Sequence, residues 1–297
     1  MTGPTSTADQ PKDQSQDRPE DRSAARSAAR SESYVSPLPA PRPHLGHAIA
    51  SEWTKLVSVR STLFTLGSLV LLVVGIGLLA VIEIRSTADT LTPPTAPALF
   101  GLLIGQVAVM VLGVLTITSE YGTGLIRTTF TAAPGRARVL TAKYLVFAGV
   151  AFAAVAGSVA AVGIASLILR DGSGGRHGAG EWFHALAGCV YVTLLGVIGL
   201  AVGAMLRHSA GAIAVMLGVV TVPPVAGGML TAWEGLAPIG RTILEYNAPV
   251  ALMQLFGMPN GIEGERLPSD LSHILLILLV TGAAVAGSYV VVGRRDV

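Results

Sequence analysis

The chain has 297 residues, of which 51% are hydrophobic and only 13% charged, and its mean hydropathy is +0.63. A soluble globular domain carries about 25% charged residues, so this composition excludes an ordinary soluble fold. The 20 basic and 18 acidic residues leave a net charge of +2, too small for charge-driven binding of nucleic acid. The single cysteine, Cys189, excludes an intrachain disulfide and a cysteine-rich zinc site.

Residues 1–43 are rich in Pro, Ser, Asp and Arg. Such a stretch buries too little apolar surface to offset the entropy of folding, and reads as a disordered arm. No apolar core resembling a secretory signal precedes residue 63, so the first span reads as an uncleaved anchor. Residues 44–62 follow as a separate element. Leu45, Ile49, Trp53 and Leu56 recur at spacings of 4, 4 and 3, one face of a helix. Glu52, Lys55 and Arg60 lie off that stripe, and Trp53 suits the headgroup boundary. The segment is predicted to be an amphipathic interfacial helix leading into the membrane.

Residues 63–297 hold six apolar segments of about 20 residues, each long enough to cross a bilayer as a helix. They are 63–82, 98–118, 145–169, 186–206, 210–230 and 272–292, and they contain not one Asp, Glu, Lys or Arg. Hydrocarbon offers the backbone no hydrogen-bond partners, so spans of this kind are helices. The predicted fold class is therefore an all-α integral membrane protein with six transmembrane helices. Fifteen of the 20 Lys and Arg fall in the segments on the side of the N-terminus, and Arg127, Arg136, Arg138 and Lys143 in one loop face a lone Arg85 across the bilayer. The positive-inside rule then places both termini in the cytoplasm, and the expected location is the plasma membrane.

The loop after the second span carries the densest local signal. Glu120 directly follows an apolar run, where a carboxylate is solvated or paired. Tyr121, Gly122, Thr123 and Gly124 come next, and the two glycines argue against a continuous helix. Ala133-Pro134-Gly135 marks a turn. A basic segment from Arg136 through Arg138 to Lys143 then enters the third span. The expected shape is short helix, turn, short helix.

Gly101-x-x-x-Gly105 and Gly199-x-x-x-Gly203 allow close helix approach, as does Ala283-x-x-x-Gly287, and packing within the chain is the expected use of each. Gln106 is the notable amide in the second span; it either bonds across helices or lines a pathway. Pro223 and Pro224 sit inside the fifth span, where they are expected to kink it; the kink is either a gate element or static. His177, Glu181 and His184 have spacings that suit one helix face, but the glycine-rich run before them favours a mobile loop, so no metal site or cofactor is expected. His208 and His273 lie at span ends and read as interfacial. Residues 231–271 are too long for a plain connection, and the apolar stretch from Ile239 to Leu255 reads either as a partly inserted hairpin or as a folded loop.

Two of these segments resemble a known family. Ser51-Glu52-Trp53-Thr54-Lys55-Leu56 with Arg60-Ser61-Thr62 is similar to the entry of permease subunits of the type-2 export branch of ATP-binding-cassette transporters. Glu120-Tyr121-Gly122-Thr123-Gly124, Arg127-Thr128 and the run from Ala133 to Lys143 resemble that family's loop between spans two and three. The resemblance covers about residues 45–297. It implies a six-span permease, a separate cytoplasmic ATPase subunit touched by the entry helix and the loop, and a second permease subunit, identical or different, completing the pathway. The residues it marks for contact with the ATPase are Glu52, Trp53, Lys55, Glu120, Tyr121, Gly124, Arg127, Arg136 and Arg138. The three lysines are followed by Asp13, Leu56 and Tyr144, so none completes a G-x-x-x-x-G-K-[ST] phosphate loop, and ATPase activity is expected in the partner. Without the resemblance, a non-transporting anchor or sensor for a cytoplasmic ATPase and an ATP-independent channel or carrier remain alternatives.

Overall fold

A computed structural model describes residues 44–86, 92–132, 135–169, 179–258 and 270–294. The expectation of a disordered arm over 1–43 lies outside the described residues. Among those described, every regular element is a helix. In chain order they are α1 (Leu45–Ser58), α2 (Arg60–Ser86), α3 (Ala96–Thr123), α4 (Leu125–Ala132), α5 (Arg136–Leu169), α6 (Ala179–Leu206), α7 (Ser209–Thr231), α8 (Ala237–Glu245), α9 (Ala248–Leu255) and α10 (Asp270–Arg294). Six of them (α2, α3, α5, α6, α7 and α10) are long and apolar enough to cross a membrane. The protein is thus an all-α, six-span membrane protein, and each of the six expected segments lies within one of these helices.

The helices alternate between two ends of the bundle. The near face carries α1 and α4 and the last turn of α10; the far face carries α8 and α9. At 34 residues, α5 is longer than a span requires: at 1.5 Å per residue it measures about 50 Å against a hydrocarbon core of about 30 Å. Its excess lies at the near end, so Arg136, Arg138 and Lys143 are carried on a helix continuous with the third span. Between α3 and α4 the chain turns at Gly124, whose φ of +73° is left-handed and favours glycine. The first short helix of the expected pattern is present as α4; the Ala133-Pro134 part of the expected turn lies outside the described residues, and the second helix is not short but is the start of the 34-residue α5.

The centre of the bundle is the α3–α6 pair, which shares the most extensive contact of any two helices. Their most apolar windows are 61% and 72% buried, against 17% for α7 and for α10. Small residues make this approach possible. A Cβ on Gly199 would lie 2.6 Å from the Met110 carbonyl oxygen, and one on Gly203 would lie 3.1 Å from that of Val114. Gly101 and Gly105 do the same for α2, with a Cβ on Gly101 falling 2.6 Å from the Val73 Cα. Both glycine pairs therefore serve packing within the chain. Ala283 is exposed, while Gly287 faces the Met205 sulfur.

On the far face, one side chain joins two helices. Asn247 Oδ1 accepts from the Val250 N–H at the start of α9 (2.9 Å), and its Nδ2 donates to the Leu244 carbonyl at the end of α8 (2.7 Å). Each bond satisfies a backbone group that a helix end leaves open. Ala251, Leu252, Leu255 and Phe256 are buried, and the Phe256 ring fills the space where Gly188 of α6 has no side chain. The apolar stretch is thus a helical hairpin whose second arm is covered by protein.

The chain remains one helix through Pro223 and Pro224. Proline has no N–H, so the carbonyls of Val219 and Val220 lack their usual donors four residues on.

Candidate functional site: a buried charge cluster on the near face

The near face gathers four charged side chains from three helices. Lys143, on α5, is 3% exposed. Its ammonium lies 2.6 Å from Glu52 Oε2 on α1 and 2.7 Å from Glu120 Oε1 on α3. Lys55, one turn beyond Glu52, sits 2.8 Å from Glu52 Oε1 and 3.4 Å from Glu120 Oε1. It also donates to Thr129 Oγ1 of α4 at 3.3 Å. Two carboxylates and two ammonium groups balance formally, which is the condition for burying such groups at tolerable cost. A cavity of about 310 Å³ beside them is lined by Glu52, Lys55, Leu56, Thr62, Ser119 and Glu120, among others.

Burial acts to lower the Lys55 pKa, but the hydrogen bond to Glu52 and the charges of Glu120 and Glu52 outweigh it and raise the group above its ordinary value. Lys55 therefore stays charged at neutral pH. Its stabilising contribution is complete below the ordinary lysine range and fades only as pH rises through the raised value.

The apolar stripe of α1 is split: Trp53 is 54% exposed and Leu45 38% exposed, whereas Leu56 of the same stripe is buried together with Glu52. A side chain at 52 turns inward because its ion partner waits there, and Trp53, one position along the helix, is carried outward.

The remaining sequence-marked residues divide. Tyr121 is half-buried, with the Arg207 guanidinium 5.2 Å from its ring centroid. Gly124 makes the turn described above. Arg127 lies on α4, and its side chain is outside the described residues. Arg136 reaches the Val292 carbonyl on α10 at 3.5 Å, while Arg138 is exposed. Gln106 is buried and donates to the Leu103 carbonyl of its own helix at 3.0 Å, leaving Oε1 without a partner. Pro223 lines a cavity near the far face, and Pro224 is half-buried. The structure thus joins Glu52, Lys55 and Glu120 in one site; Gln106, Pro223 and Pro224 lie apart from it. The triad of His177, Glu181 and His184 is untested because His177 lies outside the described residues. Among the described residues no three His, Cys, Asp or Glu stand close enough to hold a metal.

Two residues enter that the sequence had not marked for a site. Lys143 is the hub of the cluster. Arg207 has a positive φ of 56° and two buried guanidinium nitrogens, Nε and Nη2, without hydrogen-bond partners. The signal for Lys143 was its place directly before an apolar run, at the same depth as Glu120 directly after one.

Hydroxyls tie α5 to α10 on the same face. Ser288 Oγ donates to the Val285 carbonyl (2.7 Å), so the Tyr144 hydroxyl is the donor in its 2.8 Å contact with Ser288. Thr141 likewise donates to Ala137, so Tyr289 donates to Thr141 at 2.7 Å. No family model and no curated protein matches this chain.

Proposed function

We infer that the chain is the permease subunit of an ATP-binding-cassette exporter in the plasma membrane. The near face is cytoplasmic, a separate ATPase subunit docks there, and a second permease subunit completes the pathway. The observation that carries this reading is the charge cluster. The two segments that resemble the family's ATPase-contacting elements, 51–56 and 120–143, are far apart in sequence, and Lys143 and Lys55 lock them into one unit. A force applied to α1 or α4 is thereby delivered to the near ends of α3 and α5, the helices of spans two and three. ATP-driven movement requires contacts that differ between two states of the partner, and a rigid coupler passes the difference on. The positive charge of the near face fits a cytoplasmic side, and the exposed apolar surfaces of α2, α7 and α10 suit lipid and a second subunit.

The test is co-expression with the candidate ATPase and measurement of its stimulation in proteoliposomes. Charge reversal at Glu120 and at Arg127, singly and together, is expected to abolish stimulation. Glu120 also supports the fold, so Arg138→Glu is the decisive variant: Arg138 is exposed and outside the cluster. It is expected to lower stimulation at least about fivefold, a coupling of the ordinary size between sites, with an unchanged melting temperature. Full stimulation in all four variants would remove the assignment. Stable ATPase binding without ATP-dependent movement of solute would select the anchor or sensor reading, and no co-purifying ATPase would select a channel or carrier.

A further inference from the structure

The far half of the bundle holds a second cavity, of about 240 Å³, between α6, α7, α9 and α10. Its wall is mainly aliphatic, from residues such as Leu195, Met216, Val219, Ala251 and Val280, and no charged side chain lines it. His273 does line it. The sequence placed this histidine at an interface, yet it is 1% exposed, stacked on Tyr246 with ring centroids 5.2 Å apart.

The hydrogen bonds of His273 fix its chemistry. Nε2 lies 3.2 Å from the Glu245 carbonyl oxygen. A carbonyl only accepts, so Nε2 carries the proton and Nδ1 of the neutral ring presents a lone pair. Nδ1 has no partner. The other fixed polar group in the wall, the Asn247 amide, is held in place by one bond to a helix end at each of its two atoms, with one N–H and one lone pair left over. The tyrosine hydroxyls serve either role and decide nothing.

We propose that this cavity is a binding site for an aliphatic molecule carrying a neutral hydroxyl, which donates to His273 Nδ1 while its hydrocarbon fills the apolar wall. An ammonium group would supply the donor but would lose its hydration with no carboxylate in the wall to replace it. A carboxylate or phosphate would set its own lone pairs against that of Nδ1. The site is independent of the exporter reading and holds for an anchor or a channel as well. The hydroxyl can belong to a resident lipid such as a diacylglycerol or to a solute dissolved in the membrane.

The test uses the full chain in phosphatidylcholine nanodiscs with a diazirine-bearing dodecan-1-ol and its methyl ether, mapping labelled peptides by mass spectrometry. The alcohol is expected to label α7 and α10 around Met216 and Val280 about tenfold more than the ether, the scale of one buried hydrogen bond. His273→Phe keeps an aromatic ring against Tyr246 and removes both ring nitrogens, the acceptor at Nδ1 among them; it should label with both probes equally, at the ether's level. Ala251→Leu, which fills the cavity without touching His273, should lower labelling by both probes. Added diacylglycerol displaces the label if a lipid is the occupant and leaves it if a solute is. Equal labelling by alcohol and ether in the unaltered protein, or a preference for the alcohol that survives His273→Phe, overturns the proposal.

Discussion

Replacing Lys143 with methionine is expected to destabilise the bundle by about 3–5 kcal/mol, the cost of leaving buried charge uncompensated. The chain length of the side chain is nearly kept, so packing changes little, and the loss is electrostatic. Glu52 and Glu120 would then share only Lys55, which is 34% exposed and 3.4 Å from Glu120. The sign of the double variant separates this account from a packing effect. Lys143→Met with Glu120→Gln removes one charge of each sign and leaves the Glu52–Lys55 pair at 2.8 Å intact. It should recover more than half of the loss, because a buried pair replaced as a whole costs little. The measurement is reversible unfolding in mixed micelles, or the melting temperature where unfolding is irreversible. Equal losses in the single and double variants would show that the loss does not come from uncompensated charge on Glu120.

The spans were legible because the membrane leaves few solutions: apolar length and the absence of charge decide a transmembrane helix almost alone. Local chemistry also fixed the break at Gly124. What was not legible depended on distant partners. The apolar stripe of α1 was legible, but the burial of Glu52 beside Leu56 was not, because the ammonium group that pairs with it comes from residue 143. Nothing within the sixteen residues from Leu45 to Arg60 announces a lysine on another helix. Glu120 was correctly read as paired or solvated, while its partner stayed hidden. His273 failed for the same reason, since its burial comes from Tyr246 on the far-face hairpin. Gly113 and Gly196 escaped notice because they form no GxxxG pattern within one helix; they oppose each other across two.

That opposition gives the largest expected effect of any single substitution outside the cluster. Gly199→Val and Gly113→Val should yield no monodisperse folded protein after extraction. Helices in lipid gain little from the hydrophobic effect against each other and depend on close van der Waals approach. Along α6, Gly196, Gly199 and Gly203 form one stripe against α3; a Cβ on Gly199 meets the Met110 carbonyl oxygen at 2.6 Å, and one on Gly113 overlaps the Gly196 carbonyl. The obstructing atoms are backbone, which cannot rotate aside as a side chain does. Ordinary overpacking costs about 1–3 kcal/mol, and here relief requires separating the two most buried helices, with α9 and α10 attached to α6. Gly149→Val on α5 is the control, since nothing lies within 4 Å of its Cβ position; it should leave yield and melting temperature unchanged. Alanine at 199 should fall between, folded but less stable. Size-exclusion profiles and thermal melts of the four variants read the series, and a normal melt for Gly199→Val would mean that α3 and α6 do not pack through this seam.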